Sequence, residues 1–553
     1  MIEEEISKLI YKSVSRAQTA GEFTIFEIPK IKIDTSQISG HGDYSSNIAM
    51  QLKSLVNKNP IEIAETIITN ITTTTIIDEI VLAKPGFINF YLNKSWLSQQ
   101  IKTINSSSSY GNNNTGNNNK MLIEYVSANP TGPVHIGNGR GASIGSSLAK
   151  VLRKCNFMIE EEFYINDTGN QISLFGQTLY ARYSQLNGKE IKIPENGYRG
   201  AYMIDLAKLI KHKYKDSSIF IEENNNQNQE LTALGLSIMI DDMKNELKGI
   251  GVEFTNWFYE SDLHKRKTIA AIIKKLSTNN FIEKKENALW FQSSKLGDSK
   301  DNVLLRTDGT PTYFSADIAY HYNKLVERKF DKIINIWGAD HQGHVSRLKK
   351  AIEAIGIDQN RIEILLYQLI TLKRGEKIVP LSKRAGEIIS LKEIFTETGK
   401  DAMRFFFLSQ SANQAMEFDL ELAKKQTKDN PVYYVQYAHA RICAVLKKAT
   451  EEKITSSHEN LSTIQEESEL ALIKKLIYFP QLITKVAEEL APHHLPHYSI
   501  ELAHAFHHFY TNCKVIDIKN KKLSEARLAL LEACKIVLAS TLDLIGVEAP
   551  EKM

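Results

Sequence analysis

The sequence has 553 residues, and this length is too great for one hydrophobic core and predicts about three domains. Its hydrophobic content of 42% and charged content of 24% are typical of a globular protein. The formal charge of +3 means that any attraction for nucleic acid must come from local basic patches. The four cysteines are widely scattered without a Cys-x-x-Cys pair, which argues against a disulfide framework and against a structural zinc site.

Residues 1–18 are charged and amphipathic, and they lack the apolar stretch of a secretory signal. No uninterrupted apolar run approaches the length that spans a membrane. We therefore expect a cytoplasmic protein that makes no membrane contact.

Residues 1–104 predict an N-terminal α+β domain, because a helical start is followed by KPGFINFYL, which alternates like a strand. The next segment, NSSSSYGNNNTGNNN (105–119), has almost nothing that can bury apolar area. Its composition predicts a flexible linker.

Residues 120–415 alternate strand-like apolar runs with helical patterns, beginning with the strand MLIEYV (121–126). This alternation predicts a Rossmann-like parallel sheet. A stretch at about 172–255, which contains the polar run 221–230, is predicted to be an insertion. From residue 416 to 553 the strand signals end and the periodicity predicts an all-α bundle. The expected fold is therefore a multidomain α/β protein.

The segment after the first core strand predicts a helix that begins with glycines, including Gly137. Each glycine inside a helix costs about 1 kcal/mol relative to alanine, so a row of them suggests that a ligand lies against the bare backbone. After a strand of a parallel sheet, that ligand would be a nucleotide, with His135 and Asn138 as hydrogen-bonding groups for its phosphates. The alternative is a helix whose glycines serve packing alone.

A second motif, VPLSKRAGEIISLKEI (379–394), follows the apolar run EILLYQLI. Lys383 and Arg384 stand on a Ser- and Gly-containing loop, from which a cation can reach a phosphate. Taken alone, such residues are more often solvated loop charges.

Together these two motifs resemble the signatures of class I aminoacyl-tRNA synthetases. His135-Ile-Gly-Asn138 is similar to the His-Ile-Gly-His motif, and Leu381-Ser-Lys383 is similar to the core of the Lys-Met-Ser-Lys-Ser loop. The sequence departs from the pattern at Asn138, at Pro380, where the loop would begin with lysine, and at Arg384, where it would end with serine. Lys377 and Arg384 are candidates for a second cation beside Lys383.

Within this class, nearly the whole chain resembles arginyl-tRNA synthetases of the bacterial type. The resemblance is carried by a series of blocks in one order: GDYSSNIA, KPGFINFYL, EYVSANPTGPVHIGNGRGA, YINDTGNQI, TYFSADIAYH, WGADHQGH, VQYAHARI, FHHFYTNCKV and RLALLEACKIVLASTLDLIGVEAPEKM. It implies a ligase that activates L-arginine with ATP, releases pyrophosphate, and transfers arginine to the 3′-terminal ribose of tRNA(Arg). It also implies a tRNA-binding role for the N-terminal domain and anticodon binding by the C-terminal bundle.

The resemblance also suggests site residues. A planar guanidinium is best held by a carboxylate, and Asp317 with Tyr313 is our choice for arginine binding. Asn129, Asn166, Gln171 and Gln342 are candidates for the remaining polar groups of arginine, although each could be a turn or loop residue.

On the nucleotide side, His135, Gly137, Asn138, Gly338, Asp340 and Lys383 are expected to bind ATP, with His135, Asn138 and Lys383 as the catalytic residues. Asp340 has the alternative role of a helix N-cap. Mg²⁺ is expected to arrive with ATP, and no protein metal site is expected.

Two other functions are weighed. Another class I synthetase is disfavoured, because a cysteinyl enzyme needs zinc ligands and a glutamyl enzyme needs basic residues in place of Asp317. A non-catalytic tRNA-binding relative would have lost His135, Gly137 and Lys383, which are present. The partners expected are tRNA(Arg), arginine and ATP, and a monomer is expected.

Overall fold

The computed structural model describes residues 2–35, 42–72, 74–213, 225–298, 300–380 and 389–553. The N-terminal part is an antiparallel four-stranded sheet of order β1-β2-β4-β3 packed with helices, as the α+β prediction required. Its elements are α1 (Ile2–Thr19), β1 (Asp34–Thr35), β2 (Tyr44–Ser46), α2 (Ile48–Gln51), α3 (Lys53–Val56), α4 (Pro60–Thr69), β3 (Ile77–Ala83), β4 (Phe87–Leu92) and α5 (Lys94–Ser106).

The segment 105–119 is packed, and the prediction of a flexible linker is wrong. The ring of Tyr110 stacks on that of Phe479 at 6.2 Å between centroids, and a Cβ at Gly111 would lie 2.6 Å from the Phe479 ring. Asn113 donates to Thr484 Oγ1 over 3.2 Å. The composition suggested a flexible linker because aliphatic side chains are absent. The segment is instead held by close packing of its glycine backbone, by one tyrosine and by hydrogen bonds of asparagine amides.

The central layer is a five-stranded parallel sheet of order β12-β11-β5-β6-β7. From β5 the chain moves to β6 and β7 in one direction and later to β11 and β12 in the other, so the order reverses between β5 and β11. Crevices for ligands form at the carboxyl ends of strands at such a reversal. The elements of this part are β5 (Lys120–Tyr125), α6 (Ile136–Lys154), β6 (Met158–Ile165), α7 (Asn170–Leu186), α8 (Ala201–Lys213), α9 (Asn225–Gly249), β7 (Asn256–Tyr259), α10 (Glu260–Lys265), α11 (Thr268–Thr278), β8 (Ile282–Lys285), β9 (Ala288–Phe291), β10 (Asn302–Leu305), α12 (Tyr313–Tyr322), β11 (Lys332–Gly338), α13 (Gln342–Ala354) and β12 (Ile362–Tyr367).

The stretch suggested as an insertion forms the crossover between β6 and β7. Helices α7, α8 and α9 pack on one another around their own small hydrophobic core. The polar run 221–230 falls partly outside the described residues. A separate antiparallel sheet, β10-β9-β8, lies between α11 and α12 in the chain.

The last part begins with a small sheet, β14-β13-β15, and ends in a helical bundle. We expected no strand from residue 416 onward, and this expectation is wrong: a further strand, β15 (Met416–Asp419), pairs in parallel with β13. A four-residue strand is too short for a period to be read from its sequence. The elements are β13 (Ile370–Arg374), β14 (Lys377–Val379), α14 (Leu391–Thr398), α15 (Lys400–Leu408), β15, α16 (Leu420–Lys424), α17 (Pro431–Glu451), α18 (Glu467–Glu489), α19 (His494–Asn512) and α20 (Lys521–Ile545).

One hydrophobic core extends from α1 through one face of the parallel sheet to the bundle, and a second fills the opposite face under α11, α12 and α13. None of the helices in the described ranges combines the length and the apolar character that a bilayer crossing requires.

Candidate active site

A cavity of about 410 Å³ opens where the strand order reverses, at the carboxyl ends of β5 and β11. Its walls come from the loop after β5, from β6, from α12, from the turn after β11 and from the end of β12. They are Glu124, Val126, Ser127, Ala128, Asn129, Asn138, Tyr164, Asp317, Tyr320, His321, Ile336, Trp337, Gly338, Asp340, His341, His344 and Tyr367. Five residues suggested by the sequence, namely Asn129, Asn138, Asp317, Gly338 and Asp340, therefore meet in one cavity.

The chain leaves β5 through two residues in the left-handed region, Val126 with φ 70° and Ser127 with φ 41°. This conformation is rare for a β-branched residue, and such strain is typical of functional sites. The turn brings the Ser127 hydroxyl back onto the strand, where it donates to Glu124 Oε1 over 3.0 Å and accepts from the Tyr164 backbone N–H over 3.2 Å. The strained turn thus fixes the floor of the cavity.

His135 caps the N-terminus of α6, since its Nδ1 accepts from the Gly137 N–H over 3.0 Å. Burial lowers the pKa of His135, so the ring is neutral at pH 7. With Nδ1 acting as the acceptor, the proton stands on Nε2, which makes Nε2 a donor suited to a phosphate oxygen.

The later, described part of the second motif lies directly against this helix start. The Leu391 N–H donates to Val134 O over 2.8 Å, and His135 forms an isolated bridge with Ser390. Residues 381–388, which include Lys383 and Arg384, lie outside the described residues. Of the remaining cation candidates, Lys377 is described and exposed.

Most glycines of α6 serve packing, so the row of glycines is not by itself a sign of a nucleotide. A Cβ at Gly141 would lie 2.9 Å from the ring of Tyr367. A Cβ at Gly145 would collide with the ring of Tyr125. Only Gly137, next to His135, has no neighbour of this kind beyond its own capping histidine. It alone keeps the open backbone that a phosphate could approach.

Asp317 lies on α12 and faces the cavity with a third of its side chain exposed. Its Oδ2 accepts from His344 Nε2 over 2.7 Å, and Arg347 Nε donates to His344 Nδ1 over 2.6 Å. Because Nδ1 is an acceptor, Nε2 is the donor, and the imidazole orients the carboxylate. Tyr313, one turn earlier, is half exposed and is not among the cavity walls.

Glu124 is a second carboxylate in the cavity, and the sequence reasoning missed it. It is 6% exposed, and its Oε2 accepts from Lys324 Nζ over 2.6 Å. Lys324 is completely buried. A local signal existed, because a glutamate in the apolar strand MLIEYV breaks the hydrophobic pattern, and a buried charge is paired or functional.

The suggested polar residues separate into those in the cavity and those outside it. Asn166, with its amide nitrogen turned toward acceptors, donates to Glu260 Oε2 over 3.1 Å. Gln342 begins α13 and is exposed, as is Gln171 on α7. Of the four suggested residues Asn129, Asn166, Gln171 and Gln342, only Asn129 lines the cavity.

On the opposite wall, Gly338 ends β11 and Asp340 stands on the turn that follows, with three quarters of its side chain exposed. The side chain of Asp340 does not cap α13. Burial and the neighbouring Asp340 raise the pKa of Tyr367 to about 12, so its hydroxyl stays protonated in the cavity.

A second candidate surface lies on the bundle, and we call it the aromatic surface: Tyr434, Tyr437, Arg441, His504, His507 and Tyr510. The Tyr437 ring stacks with His507 at 6.1 Å, and the Arg441 guanidinium lies 5.2 Å from the Tyr437 ring and 5.1 Å from that of Tyr510. Tyr434 and His504 share a hydrogen bond of 2.9 Å.

The segment 506–528 interleaves aromatic and basic residues, but it contributes fewer exposed side chains to a nucleic-acid surface than its composition suggests. Phe506 and Phe509 are buried, and Arg527 donates to Glu469 Oε1 over 2.7 Å. These residues hold the bundle together.

Three family models match the chain in succession. "Arginyl tRNA synthetase N terminal domain" matches residues 2–92, "tRNA synthetases class I (R), catalytic domain" matches 100–442, and "DALR anticodon binding domain" matches 435–553.

Curated relatives match over the full length. The chain is 48% identical over 553 residues to an arginine–tRNA ligase from Dehalococcoides mccartyi strain CBDB1, with 99% of each chain covered. It is 43% identical over 559 residues to an arginine–tRNA ligase from Caldanaerobacter subterraneus subsp. tengcongensis, covering 100% of this chain and 98% of the relative. The fold is similar to that of Thermus thermophilus arginyl-tRNA synthetase, with a TM-score of 0.78, 20% identity and full coverage of both chains. With a class I catalytic model over more than half of its length and full-length relatives of this identity, the chain belongs to the arginyl-tRNA synthetase family.

Proposed function

We propose that the protein is an arginine–tRNA ligase that forms arginyl-adenylate from arginine and ATP and then transfers arginine to tRNA(Arg). The observation that carries this proposal is the cavity at the strand reversal, in which Glu124 and Asp317 face a shared space. Such a pair of carboxylates suits a cationic amino acid and repels an acidic one.

Arginine would bind with its guanidinium between the two carboxylates. The guanidinium presents five donors in a planar fork, and a carboxylate accepts two of them side by side. Asp317 keeps an exposed edge for this contact while His344 holds its Oδ2. Asn129 would meet the backbone groups of the amino acid, and Tyr313 would close the mouth of the pocket if its side chain turned inward. Asn166 and Gln342 require a similar movement before they could touch arginine.

ATP would lie across the start of α6, with its ribose near Gly338 and Asp340 and its phosphates near His135, Gly137 and Asn138. The arginine carboxylate attacks the α-phosphate, and the bond to pyrophosphate breaks. The terminal ribose hydroxyl of tRNA then attacks the adenylate carbonyl and releases AMP. Both steps need positioning and neutralisation of charge more than a protein nucleophile.

The cations would act where charge develops. Lys383, in the second signature motif, would stabilise the departing pyrophosphate, and Mg²⁺ would accompany ATP as part of the substrate. His135 would donate through Nε2 as a neutral ring, which its lowered pKa supports.

For tRNA, we propose contacts at the N-terminal domain and at the aromatic surface of the bundle. Splayed bases stack on tyrosine rings and on guanidinium planes, and Tyr437 with Arg441 offers both. The match of residues 435–553 to an anticodon-binding model supports this assignment. We also propose that the protein acts as a cytoplasmic monomer; sedimentation of the purified chain would test the monomeric state.

The deciding experiment is aminoacylation of bulk tRNA with each of the twenty amino acids in turn. Arginine alone should be attached, in a reaction that consumes ATP. Charging with glutamate, cysteine or another amino acid would reassign the enzyme, and charging with none would favour a tRNA-binding protein without catalysis.

A further inference from the structure

A continuous line of buried polar side chains runs beneath the cavity, from one candidate arginine carboxylate to the helical turn of the other. Lys324 Nζ donates to Glu124 Oε2 over 2.6 Å and to Asn335 Oδ1 over 3.2 Å. The Asn335 amide nitrogen and His321 Nε2 are 2.7 Å apart. His321 Nδ1 lies 2.7 Å from the backbone carbonyl of Asp317.

From Lys324 to the Asp317 carbonyl, the donors all point one way. The Asp317 carbonyl can only accept, so His321 Nδ1 carries the proton and its Nε2 accepts from the Asn335 amide nitrogen. This leaves Asn335 Oδ1 to accept from Lys324. Burial, followed by the charge of Lys324, holds the pKa of His321 well below its usual value, which keeps the ring neutral. A single ammonium therefore sets the orientation of every group between Glu124 and α12.

The backbone at Lys324 departs from a regular helix. After α12, residues Asn323–Glu327 form a π-turn, a wider turn that is frequent at functional sites. The turn brings the ammonium of Lys324 to 3.7 Å from the centre of the Tyr320 ring and within reach of β5. The other groups around Glu124 are Tyr164, which faces it from β6, and Ser127.

A buried lysine is costly, and an apolar residue of similar volume often serves stability as well as a buried ion pair. Its presence below a candidate substrate carboxylate calls for a reason beyond packing.

We propose that Lys324 is a positioning residue for arginine recognition: it holds the Glu124 carboxylate directly and the Asp317 turn through Asn335 and His321. This inference rests on the proposed function of the cavity. Lys324 itself does not touch the substrate, and its effect reaches arginine through the two carboxylates. The line ends at Glu124 and at Asp317, the two carboxylates proposed to bind arginine. Loss of Lys324 should therefore disturb arginine binding much more than ATP binding.

The test is arginine-dependent ATP–pyrophosphate exchange by the full-length enzyme with tRNA present, comparing wild type with Lys324→Ala. Removing a residue that orients a metal ligand typically costs about 10- to 100-fold in affinity, and by analogy we expect a rise of that order in the KM for arginine. The KM for ATP should stay within about two-fold. A lysine that only stabilised the fold would change both constants together or neither.

Chemical rescue gives a second readout. The n-propylammonium ion has the shape of the atoms removed in Lys324→Ala and can enter from the cavity, which Glu124 lines. It should lower the KM for arginine in the variant, whereas tetramethylammonium, which has no N–H donor, should not. Selective rescue by the donor ion supports the proposal, and its absence overturns it.

The control is Lys150→Ala, which removes a paired lysine from the far end of α6, where the ammonium bonds Asp543 over 2.8 Å. Its KM for arginine should equal that of wild type. If Lys324→Ala does not fold, as judged by its thermal unfolding, Lys324→Met keeps the length of the side chain without its donors and takes the same two KM measurements. A wild-type enzyme that fails to activate arginine refutes the proposed function. Active wild type with an unchanged KM for arginine in the folded Lys324 variant refutes only the role of Lys324.

Discussion

The two sides of the cavity differ in how firmly their side chains are held. On the arginine side, Glu124 is bonded by Lys324 and Ser127, and Asp317 is bonded by His344. On the nucleotide side, the hydrogen bond of His135 is made to its own helix, and the Asn138 amide reaches Val126 O only at 3.5 Å.

This difference separates recognition from chemistry. The two carboxylates proposed to bind the guanidinium are already oriented by neighbouring side chains, so these two groups need little rearrangement to meet arginine. The described groups proposed to stabilise the transferring phosphate, His135 and Asn138, are held by fewer and longer hydrogen bonds. We expect them to reach their final geometry when ATP and tRNA are bound, so that binding energy stabilises the transition state.

The largest expected effect tests the arginine side. Asp317→Asn keeps the shape of the pocket and removes one charge, and an unpaired guanidinium should weaken arginine binding by about 3–5 kcal/mol. The affinity for ATP should hardly change. Calorimetric titration of arginine and of ATP into the variant measures both. Equal losses would mean that Asp317 supports the fold and that the carboxylate for specificity lies elsewhere.

The next effect tests the nucleotide side. Lys383→Ala removes the charge that we propose acts as pyrophosphate departs, so kcat for adenylate formation should fall by about 10²–10³-fold. The KM for arginine should rise far less. Pre-steady-state measurement of adenylate formation separates the two. Activity within about three-fold of wild type would point to Lys377 or Arg384 as the working cation.

A third prediction concerns the requirement for tRNA. If the nucleotide side is completed only in a closed state that tRNA favours, ATP–pyrophosphate exchange should be at least about ten-fold slower without tRNA(Arg). Pro380, where the signature loop would begin with a lysine, fits a site that is incomplete on its own. Binding of arginine alone should persist without tRNA, because its side of the cavity is already organised. Strong exchange in the absence of tRNA would refute the idea that the nucleotide side is incomplete on its own, and it would leave the enzyme assignment intact.

The smallest expected effect is a loss of folding stability at acidic pH. His321 is buried and neutral, so below its usual pKa of 6.5 the unfolded chain binds a proton that the folded chain does not. Stability must then fall as the pH drops below 6.5, by up to about 1.4 kcal/mol per pH unit for this one proton. His493 and His507, whose pKa burial lowers to about 4, act in the same direction. Glu246, whose pKa burial raises to about 7, acts in the opposite direction.

The contribution of His321 is isolated by comparing wild type with His321→Asn. Unfolding of both proteins at pH 7.5 and pH 5.5 should show a smaller loss of stability for the variant at the lower pH. Equal slopes would mean that His321 takes up its proton in the folded state, contrary to the donor order between Lys324 and Asp317.

Local patterns predicted the parts of the site that lie on single elements. The strand β5 and the glycine-rich helix that follows it were predicted from local patterns, whereas Asp317 was suggested by the chemistry of a guanidinium and by the family resemblance. The pair of Glu124 and Lys324 was beyond such reading, because the two residues are 200 positions apart and meet only through the sheet. The same limit explains Asn166 and Gln342: their residue types suit a substrate, but the direction of a side chain depends on distant packing.

The packed segment between α5 and β5 has a consequence for evolution. Surface loops usually accept insertions at small entropic cost, and an asparagine-rich stretch invites them. Here Gly111 presses on Phe479 and a Cβ at Gly116 would collide with Phe157, so any added or lost residue would pull these contacts out of register. The segment therefore fixes the spacing between the N-terminal domain and the catalytic sheet. Its length is therefore expected to be inherited more faithfully than its composition would suggest.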